Sequence, residues 1–256
     1  MARALAWEGC LNVRDLGGVP LSGGGVTRFG ALLRADNVGR LTHAGWRSLA
    51  GHGVVRIVDL RWAEERAEDP PRELEVDIVH VSLLGRFDPD YSDDVDRYIE
   101  AGDPAGYWAA AYGRIISRHR ANFGVALAAI ADAPDGAVLF HCTAGRDRTG
   151  LVSALLLSLA GAPRDEIAAD YAMSEANLEP DAERFISGAS DELGRRRRAF
   201  MQAAPAEAMA RVLAGLEARY GDVVSYVRAA GLDDTQIDRL RSRLADGEPD
   251  HHILKT

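Results

Sequence analysis

The 256-residue chain has little cysteine, no long apolar run and no excess of basic charge. Its two cysteines, Cys10 and Cys142, are too few for a disulfide scaffold. No stretch reaches the ~18 consecutive apolar residues that a membrane-spanning helix needs. The opening "MARALAWEGCLNVRDLGG" has no apolar segment of signal-peptide length. With 30 Lys and Arg against 39 Asp and Glu, the net charge is −9, which disfavours a nucleic-acid binder and leaves room only for a local basic pocket. The 7 histidines are scattered apart from the His251-His252 pair, so metal-ligand spacing is missing and neither a metal nor a cofactor is expected. A soluble cytoplasmic protein is the expectation, with export without a signal peptide left open.

What is present is a chain apolar enough, at 47% hydrophobic residues, to build a sizeable core. "GALLRA" (30–35), "GVVRIVDLR" (53–61), "VDIVHVSL" (76–83) and "GAVLF" (136–140) read as strands rich in Val, Ile and Leu. Between them "LTHAGWRSLAGHG" (41–53) reads as a helix capped by Thr42 and stopped at Gly51 or Gly53. "RIISRHRANFGVALAAIADAP" (114–134) reads as one helix, and another begins near residue 149. From Pro163 to residue 246 the pattern is mostly helical, with amphipathic stretches at 205–221 and 233–246. The alternation predicts an α/β fold over residues 1–256, a single domain with a mostly parallel central sheet flanked by helices and with helical additions. The acidic, Gly- and Pro-punctuated segment 85–112 reads either as a mobile lid or as a surface excursion.

The chemistry concentrates in "HCTAGRDRTG" (141–150), placed where a strand ends and a helix begins. Cys142 and Arg148 stand in a Cys-x5-Arg spacing. Backbone N–H groups at a helix start lack intrahelical partners and suit a tetrahedral oxyanion. The helix dipole favours negative charge there, a thiolate on Cys142 included. Arg148 would offer a planar charged fork to two phosphate oxygens. Gly145 permits a tight turn, and Thr149 could donate its hydroxyl to the sulfur. Thr143, Ala144, Gly145 and Arg146 complete the expected phosphate cradle. All these parts serve thiolate attack on a phosphate ester. The competing reading is a buried structural cysteine beside a surface loop.

This loop resembles the signature of cysteine-based protein tyrosine phosphatases, and its Asp-Arg-Thr-Gly ending is most similar to the atypical bacterial group. "NVRDLGG" (12–18), "LLRADNVGRLT" (32–42), "IVDLRWAEE" (57–65) and "YGDVVSYVRAAGLDDTQIDRLRSRL" (220–244) resemble further elements of that group. Arg146 departs from it, standing where many relatives have Lys. The resemblance implies a cysteine-phosphatase-like fold, hydrolysis of phosphotyrosine in proteins through a cysteinyl-phosphate, and Asp147 as the catalytic acid. It leaves a phosphoinositide or triple-specificity phosphatase as an alternative. A non-catalytic phosphate-binding module is disfavoured, because pure binding needs no thiolate.

Other residues carry two readings each. Asp59 and Arg61 end a strand and either face the substrate or form an internal ion pair, Arg61 with Glu64 or Glu65. Arg146 either reaches a second substrate phosphate or points into solvent. Asp147 either donates a proton or shapes the loop, in which case the acid is sought at Asp88, Asp90, Asp103 or Asp59. "RRRR" (195–198) reads first as a solvated helix face and second as a contact for an anionic substrate. Asp15 and the glycines after it read as a turn. Cys10 could trap an oxidised Cys142 if the N-terminal motif packs near the loop.

Overall fold

The computed structural model describes residues 3–69, 76–85 and 95–245. Five strands form one sheet: β1 (Arg14–Asp15), β2 (Leu32–Ala35), β3 (Val54–Asp59), β4 (Asp77–His80) and β5 (Ala137–His141), in the order β1-β2-β5-β3-β4. Only β1 runs antiparallel to its neighbour. The expected mostly parallel sheet is therefore present.

Side-chain alternation explains why this sheet is covered on both faces. Leu33, Ala35, Ile57 and Leu139 point to one side, where they meet Trp7, Val13, Leu41 and Leu49 of helix α1 (His43–Gly51). Leu32, Val58, Val138 and Phe140 point to the other, into the larger core. Near-continuous apolar strands of this kind are the signature of a parallel sheet buried on both faces. The larger core holds α4 (Pro104–Arg118), α5 (Arg120–Ala131), α6 (Asp147–Leu159), α7 (Arg164–Asn177), α10 (Ala206–Tyr220), α11 (Val223–Ala229) and α12 (Asp234–Leu244). α6 is buried on every side, from Arg148 through Leu157 without a break. It has no solvent stripe because the sheet and the C-terminal helices enclose it.

Local signals set the helix ends. Thr42 caps α1 as expected, accepting from Gly45 N–H. Asp103 accepts from Gly106 N–H and starts α4 ahead of Pro104. The helix expected over 114–134 is two helices, because α4 starts ten residues earlier and the chain turns at His119.

Of the segment 85–112, residues 86–94 lie outside the described residues, and Asp88 and Asp90 with them. The rest is α3 (Val95–Ala101) and the first turns of α4. Tyr107, Trp108 and Tyr112 are buried in the main core. Residues 104–112 are therefore structural, which corrects the reading of them as a movable cover. The acidic, Gly- and Pro-punctuated residues ahead of Pro104 hid a deeply apolar helix face.

The additions after Pro163 are helical as expected, and include α8 (Glu179–Ser187) and α9 (Glu192–Gln202). Among the described residues no helix is long and apolar enough to cross a membrane.

Candidate active site

The C-terminal ends of β2, β5 and β3 converge at one edge of the sheet, the usual place for a ligand in an open parallel sheet. β5 delivers Cys142 there, and the loop 142–146 runs into α6 at Asp147. Gly145 sits at φ +65°, and a Cβ there would lie 2.4 Å from Ala35 O. Only glycine satisfies both the left-handed backbone and the close approach of β2.

The loop's peptide groups are sorted by direction. Thr143 O accepts from Asn37 N–H at 3.0 Å. Ala144 O accepts from Asn12 Nδ2 at 3.1 Å, Gly145 O from Arg34 at 2.7 Å, and Arg146 O from Gly150 N–H at 2.8 Å. His141 Nδ1 lies 3.1 Å from Cys142 O. A carbonyl can only accept, so the imidazole proton belongs on Nδ1. Burial pushes the His141 pKa down despite the nearby Asp59, which keeps the ring neutral. Every carbonyl from Cys142 to Arg146 is thus drawn outward. Among the described residues, no backbone N–H from Thr143 to Arg148 has a protein acceptor. Gly145, Arg146 and Arg148 of this row are buried, and buried N–H groups without partners are rare and costly, so the row suits an anion.

Arg148 stands at the end of that row. Its fork pairs with Glu65 of α2 (Ala63–Glu68) at 2.5 and 2.9 Å, and one arm reaches Thr143 Oγ1 at 3.3 Å. The guanidinium lies 4.7 Å from the Trp62 ring centroid. Glu65 also accepts from Thr143 Oγ1 at 2.5 Å and from Trp62 N–H at 2.7 Å. Burial pushes the Glu65 carboxyl up, but the Arg148 hydrogen bonds and charge outweigh it, and the net shift is downward. The sequence offered Glu65 only as a partner for Arg61; its place beside Arg148 was hidden because α2 follows a different strand.

Asp147 opens α6. The Tyr112 hydroxyl donates to it, Arg146 Nε donates at 3.1 Å, and the Tyr112 and Tyr171 hydroxyls lie 2.9 Å apart. Burial alone pushes the Asp147 carboxyl up. The Arg146 charge and the bonds from Tyr112 and Arg146 reverse this and hold it below the usual carboxylate range.

Three expectations change on this geometry. Arg146 neither points to solvent nor lies free at the rim. It is buried, donates to the carbonyls of Met201 and Gln202 at 2.9 Å each, and sits 4.8 Å from the Trp108 ring centroid. Asp59 and Arg61 are buried against each other, with bonds of 2.8 to 3.2 Å, and present almost no surface to a substrate. The internal pair is therefore Arg61 with Asp59, not with Glu64 or Glu65. The Thr149 hydroxyl is buried without a hydrogen bond to Cys142 or to any other described group.

Elsewhere, Asp15 accepts from the backbone of Gly17 and Gly30 at 2.7 Å each and holds the expected turn. The run 195–198 lies on a solvated helix face as expected: Arg195, Arg196 and Arg197 are exposed, Arg195 pairs with Glu192 and Arg197 with Asp96 at the surface, and Arg196 and Arg198 donate to the carbonyls of Ile99 and Phe185. Cys10 donates to Asn37 O at 3.4 Å, and burial followed by the charge of Asp36 pushes its thiol far up, which makes it a poor nucleophile toward Cys142. Asp103 is taken by its capping role on α4.

A cysteine at the end of a central parallel strand, a loop with its carbonyls turned outward and an arginine closing the loop form a site suited to a phosphate group. The chain belongs to the tyrosine phosphatase family, whose profile matches residues 5–246. It is 35% identical over 230 residues to a tyrosine-protein phosphatase of Nostoc commune, covering 84% of this chain and 74% of that one. It is 28% identical over 280 residues to the triple specificity protein phosphatase PtpB of Mycobacterium tuberculosis, covering 92% and 97%. The protein is accordingly a hydrolase of phosphorylated substrates.

Proposed function

We propose that the substrate is phosphotyrosine in proteins and that Cys142 is the nucleophile. The Cys142 sulfur attacks phosphorus and the bond to the phenolic oxygen breaks. The backbone N–H groups of residues 143–148 and the Arg148 guanidinium hold the non-bridging oxygens as charge develops on them. Asp147 gives its proton to the departing phenolate. Its carboxylate then takes a proton from the water that attacks the cysteinyl-phosphate, releasing phosphate and restoring the thiolate. A carboxyl held low by Arg146 and Tyr112 needs help to carry that proton, and a phosphate dianion beside it pushes its pKa back up.

The observation that carries this reading is the sorted loop: carbonyls engaged outside, N–H groups unengaged inside. The N-terminal motif, the loop and α7 act in it as one catalytic unit, since they share hydrogen bonds. The test is Cys142→Ser. A serine hydroxyl supplies no anion at neutral pH, so turnover should fall by about 10⁴-fold or more while phosphate binding persists. Retained turnover would remove Cys142 from the role.

A second reading is a broader specificity that includes phosphoinositides, in line with the relative named for triple specificity. It needs cations for a second phosphate, and Arg146 is already committed to the carbonyls of Met201 and Gln202. Phosphate release from phosphotyrosyl peptides set against phosphoinositides decides between the two. With Arg146 turned inward, Arg146→Ala should reduce activity on both substrates alike.

A further inference from the structure

Three of the carbonyl contacts around the loop come from side chains, and two of those side chains, Asn12 and Arg34, belong to one buried network. Asn12 Nδ2 donates to Ala144 O, and Asn12 Oδ1 accepts from Arg14 at 2.6 Å and from Asn177 at 3.1 Å. Arg34 donates one arm to Gly145 O at 2.7 Å and the other to Asp170 at 2.6 Å. Asp170, on α7, is 1% exposed. It also accepts from Arg14 Nε at 3.0 Å and from Arg3, and its backbone carbonyl accepts from Arg14 at 2.8 Å. Ser174, one turn further along α7, accepts from Arg14 at 3.2 Å. A single carboxylate beneath the sheet edge thus fixes two guanidinium groups, and these fix the far side of the loop.

We propose that Asn12 and Arg34 are positioning residues for the phosphate cradle, anchored by Asp170. The peptide linking Ala144 to Gly145 and the peptide linking Gly145 to Arg146 each have their carbonyl held by one of the two side chains. A peptide is planar, so holding the carbonyl outward aims the N–H of Gly145 and of Arg146 inward. Gly145 is the residue that would otherwise let these planes turn, because its left-handed backbone carries no side chain to restrain it. Neither positioning residue touches the substrate; each acts through a carbonyl. The proposal rests on the reading of the loop as the phosphate site.

The experiment measures vanadate affinity and kcat/KM on an aryl phosphate for the full chain, Asn12→Ala and Arg34→Lys, at a temperature where circular dichroism shows each folded. Asn12→Ala frees Ala144 O and leaves the bonds between Arg34 and Asp170 in place. A lysine at 34 keeps the charge but cannot span Asp170 and Gly145 O together. Vanadate affinity and kcat/KM should fall together by about tenfold for each, the size expected when one well-placed hydrogen bond is lost. A role confined to holding the fold would lower the melting temperature and leave both readouts where they were; that result overturns the proposal. If Arg34→Lys does not fold, Asn12→Ala decides alone. Failure of the unsubstituted protein to bind vanadate would instead sink the reading of the loop itself, and this proposal with it.

Discussion

Two arginine–carboxylate systems flank the same loop, and they are built differently. In front, Arg148 and Glu65 meet at the mouth of the site, with the Glu65 side chain 23% exposed. Behind, Arg14 and Arg34 meet Asp170 with no appreciable exposure on any of the three. The front pair leaves N–H donors on Arg148 uncommitted, and its carboxylate can yield ground to an incoming dianion. In the rear cluster the groups hold one another or the backbone, with only the buried Arg34 Nε and Arg3 Nε left without a hydrogen bond among the described residues. Charge that must change partners during a reaction stays near water, where exchange costs little. Charge that must not move is buried with its partners, where loss of either is expensive.

The largest expected effect breaks that contrast directly. Asp170→Asn leaves three arginines without their shared counter-charge and should cost about 3–5 kcal/mol of stability. Glu65→Gln should cost about 1 kcal/mol or less, because its pair is partly hydrated. Urea midpoints for the two variants would show it, and equal losses would mean that the two systems are energetically alike. The pH dependence has a defined sign. Burial pushes the Asp170 carboxyl up, but Arg14, Arg34 and Arg3 outweigh this and hold it far below its ordinary value. A depressed carboxyl contributes stability above its unfolded pKa, roughly 3.9, and loses it only as pH falls through the lower folded value. The parent should therefore keep its advantage over Asp170→Asn at neutral pH and lose it progressively below about pH 4.

The front of the site was far more legible in the sequence than the rear. Cys142, Gly145 and Arg148 lie within seven residues of each other, so their spacing suggested their chemistry, while the part of Asp147 between them was implied by the family resemblance. The strands that deliver them were legible because both faces of the sheet are apolar. Asn12 and Arg34 fell in stretches noted for likeness only, and nothing local to Asp170, in the middle of an ordinary helix, signals its part. A contact between residues 34 and 170 leaves no periodic trace. Arg146, Asp59 and Arg61 were misjudged for a related reason. A charged residue near a site reads as pointing into it, and the sequence cannot show that Met201 and Gln202 turn their carbonyls toward Arg146.

At the front, the next effect in size is on rate. Asp147→Asn should slow hydrolysis of phosphotyrosine by about a hundredfold, the lower end of what general acid catalysis is worth. The deficit should shrink for an activated phenol ester whose leaving group needs no proton. A deficit independent of leaving-group pKa would make Asp147 a shaping residue for the loop. Smaller still is the effect of Glu65→Gln on activity. With only one acceptor left on the side chain, Arg148 loses half of its paired anchor, and kcat/KM should fall by about tenfold. A rise in kcat/KM would mean that Glu65 competes with the substrate more than it orients Arg148.

The smallest effect tests how the fold tunes the acid. The Tyr112 hydroxyl donates to the Asp147 carboxylate from a fully buried position, next to Tyr171. A donor to the ionised form lowers a carboxyl's pKa, so Tyr112→Phe should raise that of Asp147. If Asp147 is the proton donor, activity falls as pH rises through its pKa in the substrate complex. The basic limb of the kcat profile should then move to higher pH in Tyr112→Phe. One hydrogen bond of about 1 kcal/mol corresponds to somewhat less than one pH unit. Tyr171→Phe is the control, since its hydroxyl meets Tyr112 rather than the carboxylate and should shift the limb less. The acidic limb should stay in place in both variants, because neither hydroxyl contacts Cys142. A basic limb that is unmoved in Tyr112→Phe but lost in Asp147→Asn would leave Asp147 as the acid and assign its tuning to Arg146, whose charge is the stronger of the opposing influences on it.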